Sequence, residues 1–291
     1  QSPSRRGSAA GAAVPATRGA PPGPNSSATA LLADGLAGQD GIRTNTNQQA
    51  VAGGGGGAGG SVYVSADSFE GSGHVRAAGG AGGSGGYPHP TWTAWNYLQH
   101  GGGGGGGGRI AIHCTTCASL ADASFGVDGA RLAGGLSLDA RGGAAGSTKR
   151  VVPTEGPRRG APGPIFSDAA GVRVVVFANH YGGVTATATR EAAAHLLLDG
   201  GSLALDHLLL HSCVAELSPS VSTTHIQSSA SSVTVKRSLD VAGSVDLQSG
   251  AWTLHEPIMA NNFSLGATAA LYVIDDATTL DVRAVRFTHA G

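Results

Sequence analysis

Charge, aromatic rings and long apolar runs are all scarce in this chain, and each shortage excludes something. Charged residues are 13% of the 291 positions and the formal net charge is −1. Nothing gathers into the basic face that nucleic acid or acidic lipid needs, and Lys149-Arg150 and Arg158-Arg159 are too small to change that. The longest apolar runs, such as Val172 to Ala178, fall far short of a membrane span. No Gly-x-x-x-x-Gly-Lys-Ser/Thr occurs, which removes the nucleotide-phosphate loop. Of the eleven histidines only His207 and His211 stand at His-x-x-x-His spacing, and no helix is legible there to set them as two metal ligands on one helix face. No convincing amphipathic helix is legible.

Glycine is what the chain has instead, at 49 positions, beside 41% hydrophobic residues concentrated in short alternating stretches. Eight glycines, Gly101 to Gly108, lead straight into Arg109-Ile110-Ala111-Ile112-His113-Cys114. Gly53 to Gly60, interrupted only by Ala58, lead in the same way into Ser61-Val62-Tyr63-Val64-Ser65-Ala66. A second matched piece follows each strand: His74 to Ser84 aligns with Ser137 to Ser147 nearly position for position. Two linked matches in one order make an internal repeat. Such tracts have two physical uses. They either turn the chain sharply through backbone conformations closed to other residues, or lie extended as left-handed polyglycine helices whose missing Cβ atoms allow close packing.

The chain divides into three stretches. Residues 1–50 are an extended Ala/Gly/Pro-rich arm, in which Pro21-Pro22-Gly23-Pro24 favours polyproline-type backbone. Residues 51–165 carry the glycine-rich repeat in two units, 53–86 and 101–147. Residues 166–291 are a procession of short alternating strands, with corners such as Ala242-Gly243-Ser244 and Asn261-Asn262. The fold expected is all-β, a right-handed parallel β-helix, with a β-sandwich as the alternative. Strand lengths are uniform, and no Asn-Gly or Asp-Gly turn joins the two strands of the repeat unit. At roughly 20 to 25 residues and about 4.8 Å per rung, the chain would build about ten rungs, a rod near 50 Å long.

Chemistry-bearing residues are few. Cys114-Thr115-Thr116-Cys117, beside His113, lacks a second Cys/His pair for zinc and a helix for redox work. A structural disulfide is expected, either Cys114–Cys117 or one of these with Cys213. Asp275-Asp276 is the only adjacent acidic pair and has no accompanying basic element of a polysaccharide lyase, while Asp122, Asp128 and Asp139 are scattered. No catalytic residue, metal or cofactor is assigned. Asn25 and Asn262 lie in sequons, and Tyr87, Trp92, Trp95 and Tyr97 form an aromatic loop suited to sugar stacking or to anchoring in a neighbouring subunit. The start at Gln1, with no signal-like apolar region, is read as a mature or excised segment.

The glycine tract, the Ser-Val-Tyr-Val or Arg-Ile-Ala-Ile strand and the following Gly-x-Gly-x-Val-x-Ala-x-Gly-Gly pattern resemble the glycine-rich β-helical repeats of secreted surface proteins of algae and protists. The Ala/Gly/Pro bias is similar to that of mastigoneme- and cell-wall-type glycoproteins. The resemblance covers about residues 51–165 and implies a non-enzymatic, extracellular structural role at a cell or ciliary surface. Its partners would be copies of the chain, other filament subunits and attached glycans. Pro21, Pro22 and Pro24 become candidate hydroxyproline and O-glycan positions. The runner-up is a carbohydrate-binding or adhesive module, with a polysaccharide lyase third.

Overall fold

Each glycine tract ends where a strand begins, and the fold is built from that junction. The computed structural model describes residues 30–41, 52–85, 101–126, 129–147, 159–179, 194–196, 202–218, 220–256, 258–273 and 282–289. In its first part the strands are β1 (Ala30–Leu32), β2 (Ser61–Phe69), β3 (Gly73–Arg76), β4 (Arg109–Cys117), β5 (Ser124–Gly126), β6 (Gly129–Arg131), β7 (Leu136–Asp139), β8 (Ile165–Ala169) and β9 (Val172–Ala178). They are followed by β10 (Ala194–Leu196), β11 (Ser202–His211), β12 (Val214–Leu217), β13 (Ser220–Ser229), β14 (Ser231–Val235), β15 (Leu239–Leu254), β16 (Ile258–Val273) and β17 (Val282–His289).

The tracts are extended threefold helices. Gly102, Gly105 and Gly108 donate their N–H groups to the carbonyls of Gly83, Gly80 and Ala77, one bond every third residue and antiparallel. Gly54, Gly57 and Gly60 donate to Gln39, Leu36 and Ala33 in the same manner, while Gly35, Gly38 and Gly41 donate to Ala78, Ala81 and Ser84 in parallel. A helix with three residues per turn and no internal hydrogen bonds points successive N–H groups in three directions, so each helix can bond several neighbours at once. Segments 33–41, 77–85 and 140–147 run one way in one layer. Segments 52–60, 101–108 and 160–164 run the other way in a second layer. No tract glycine takes a positive φ; the glycines that do, such as Gly71 and Gly134, lie in other segments. Of the two uses open to the tracts, close packing is therefore the one realised.

Strands extend this bundle at one end. β1, β3 and β7 pair in parallel and feed the first layer; β2, β4 and β8 pair in parallel and continue the second. The lateral register is Ser61↔Arg109 and His74↔Ser137, which is the alignment of the sequence repeat itself. Alternation then buries Val75, Ile110, Ile112, Leu138 and Ile165 between the layers. Asn179 ties bundle to strands: its side chain accepts from Gly142 N–H and donates to the Gly160 carbonyl, each at 3.2 Å. This two-layer arrangement, up to residue 164, replaces the stacked rungs expected from residue 51. Residues 30–41, read from sequence as part of an arm, belong to it.

β8 turns back into β9 through Ala170 and Gly171, both at positive φ, an antiparallel hairpin. From β9 the 12-stranded sheet proceeds in parallel through β11, β13, β15, β16 and β17. Successive partners Leu203, Val221, Leu239 and Ile258 lie 18 or 19 residues apart. β15 and β16 are long enough to serve two columns: the first half of β15 pairs with β13 and its second half with β14. Left-handed residues Ser212, Ala230 and Gly250 bend the chain between the columns. Leu208, Ile226, Val245 and Phe263 stack as one buried file, and Ala215, Val233 and Trp252 as another facing it. The result is an all-β chain with a curled, open sheet around its own apolar core. Among the described residues a 3₁₀ turn at Leu120–Asp122 is the only helix.

Candidate functional site

The face of β2, β4 and β8 turned away from Ile110 and Ile112 carries a set of exposed and half-buried functional groups. Because these strands pair in parallel and in register, their outward residues form rows across the sheet. Tyr63, Ala111 and Phe166 make one row, and Ser65, His113 and Asp168 the next. Asp67 and Thr115 follow at the outward positions beyond. The rings form a ladder, with Tyr63–His113 and His113–Phe166 centroids each 5.3 Å apart and tilted by 43° and 51°. Tyr63 is 62% exposed. An open groove of about 810 Å³ runs beside the ladder, lined by Ser65, Asp67, His113, Thr115 and Asp168, with the Ala170-Gly171 turn as its end wall. His113 Nδ1 lies 4.0 Å from Asp168 Oδ2. The Cys114–Cys117 disulfide closes the end of β4 beneath these groups.

Histidines elsewhere are set by pairing across strands. His74 and Ser137, His211 and Ser229, and His225 and Ser244 are direct register partners, with Nδ1···Oγ distances of 3.0, 2.6 and 2.9 Å. His207 stacks on His225 at 4.9 Å. Burial and the neighbouring His225 hold the His207 imidazole below its ordinary range, against the opposing pull of Asp206 and Asp122. Asp139, nearly buried, receives Arg141 Nη2 at 2.6 Å and faces Arg76 Nε at 3.5 Å; Arg76 also reaches Asp34. This network joins β1, β3 and β7, and its role is structural.

Of the two disulfide pairings left open by the sequence, Cys114–Cys117 is formed. Cys213 is buried elsewhere, its Sγ 3.7 Å from Ser231 Oγ. Asn262 is exposed on β16, where an attached glycan would point to solvent. Asn261, read from the sequence as part of a corner, lies within β16 and donates from its side-chain amide to the Ala242 carbonyl on β15. Asn25, Pro21, Pro22, Pro24, Tyr87, Trp92, Trp95, Tyr97, Asp275 and Asp276 lie outside the described residues. Among the described residues no three His, Cys, Asp or Glu side chains converge as metal ligands, and no helix is long and apolar enough to cross a membrane.

Sequence reasoning picked out His113 only for its neighbouring cysteines and missed Tyr63, Phe166, Asp67 and Asp168. One signal was available: the repeat alignment fixes which positions point outward, and an aromatic at such a position is unusual in a chain with 5% aromatics. Comparison with protein-family models, with curated proteins and with solved structures found no match.

Proposed function

We propose that this chain is a non-enzymatic structural segment of an extracellular glycoprotein, of the kind that builds filaments or coats at a cell or ciliary surface. In this reading the curled sheet is a right-handed parallel β-helix with the glycine bundle at one end. An advance of 18 or 19 residues per ladder step matches one short coil, which supports it. The observation that carries the reading is the set of unpaired edges. Among the described residues β1 pairs only with β3, β2 only with β4 and β17 only with β16. Each leaves a row of backbone groups that can template another chain. Leu31, Leu32 and Leu36 are exposed along the first edge, at 43%, 56% and 74%. Joining copies or other subunits there would cover both the backbone groups and the apolar side chains.

Negative-stain imaging across a concentration series tests this. Filaments or end-to-end oligomers are expected, and Leu32→Lys should shorten them. Dispersed single particles at every concentration would sink the reading.

A further inference from the structure

We infer that the groove on the outer face of β2, β4 and β8 binds a neutral, hydroxyl-rich glycan chain running across the strands. This is separate from the proposed assembly, which uses strand edges rather than this face.

Three features carry it. The ring ladder of Tyr63, His113 and Phe166 repeats at 5.3 Å, close to the advance of one sugar ring along an extended polysaccharide. An exposed ring offers an apolar face to the C–H face of a pyranose, and Tyr63 at 62% exposure has that face uncovered, while Phe166 at the other end of the ladder is partly buried against the apolar core. The rows next to the ladder supply what sugar hydroxyls require: Asp67 and Asp168 carboxylates to accept, and Ser65 and Thr115 hydroxyls to donate or accept. The groove lining holds carboxylates and no lysine or arginine, and Arg173, the register partner of Asp168, is turned to Asp206 at 3.9 Å, so the lining favours a neutral chain over an anionic one. Its ends are fixed: the Ala170-Gly171 turn and the Cys114–Cys117 disulfide hold the groove walls, so little ordering is needed on binding. Such shallow sites bind individual units weakly and gain through repetition along a polymer.

The test is affinity electrophoresis of the full chain through gels containing soluble galactomannan, mixed-linkage β-glucan or polygalacturonate. Retardation by at least one neutral polymer and none by polygalacturonate is expected. Tyr63→Ala should weaken the retardation about tenfold, and Asp67→Ala or Asp168→Asn by a smaller factor. Tyr63 and Asp67 are exposed, so unchanged thermal midpoints would exclude misfolding as the cause. Absence of retardation by every neutral polymer would overturn the inference. So would retardation left intact in both Tyr63→Ala and Asp67→Ala, or retardation by polygalacturonate alone.

Discussion

Single residues in the bundle obey a rule of three. Helix 101–108 turns one face toward 52–60, another toward 140–147 and a third away from both. A Cβ on Gly105 would overlap the Gly57 carbonyl, and one on Gly104 the Gly143 carbonyl. On Gly106 it would meet only the Ala161 carbonyl, at 4.0 Å. The one interruption of the first tract, Ala58, matches Gly106 in the repeat and so stands on the same open phase. Ala81 and Ala144 recur at a single phase of the other layer, which accepts from the neighbouring helix through its carbonyls. Gly105→Ala is therefore expected to cost about 3 kcal/mol, since the atoms it meets are Gly56–Gly57 backbone rather than a side chain that could swing away. Gly106→Ala should be neutral or stabilise by up to about 1 kcal/mol, through the unfolded chain. Urea midpoints of the two variants decide this, and equal effects would contradict the threefold packing.

Elements show how much was legible beforehand. The strands at Val62/Val64 and Ile110/Ile112 and their pairing could be read because side chains alternate and the repeat alignment equals the lateral register. The conformation of the tracts could not, because glycine offers no side-chain pattern to separate a turn from a threefold helix. Gly35-x-x-Gly38-x-x-Gly41 did carry the period of three, inside a stretch whose composition suggested an arm. The β8–β9 hairpin was hidden because Ala170-Gly171 lacks the usual Asn-Gly or Asp-Gly signature. The groove was hidden for a different reason: its rows join residues some fifty positions apart, and only the register brings them together. Strand pairing also sets a pH response at His207, which stacks on His225. His207 takes up a proton less readily folded than unfolded, so the unfolded chain binds more protons as pH falls below about 6.5. Stability should be full above that value, fall through the interval down to the folded value and then level off. Thermal midpoints from pH 8 to 4.5 should show this slope, reduced in His207→Gln. An unchanged slope would assign the response to other groups.

At the scale of the molecule, the bundle grows by rule and stops by rule. Positions equivalent to Gly80 and Gly83 are occupied in segment 33–41 by Leu36 and Gln39. A Cβ on Gly80 would overlap the Leu36 carbonyl, so this phase tolerates no side chain where a neighbour is present. Leu36 and Gln39 thus occupy the space of a further glycine helix, and the bundle ends there. Any joining of subunits at this flank must use the β1 edge and its leucines. Leu36→Gly should accordingly leave the monomer's melting temperature nearly unchanged while altering its self-association, as sedimentation velocity would record.

Threefold glycine helices also have consequences for how the chain tolerates changes of length. In the uninterrupted tract 101–108 every residue is interchangeable, so the helix can slide by one step and present an identical surface. Its position is indexed only by the side chains of β4 that follow it. An extra glycine there passes toward the start of the tract and leaves every contact as before. In tract 53–60 the same insertion after Ala58 rotates that methyl by a third of a turn, onto the slot of Gly57, where Leu36 N lies only 3.2 Å from a Cβ. One tract is a free spacer and its twin is keyed by a single methyl group.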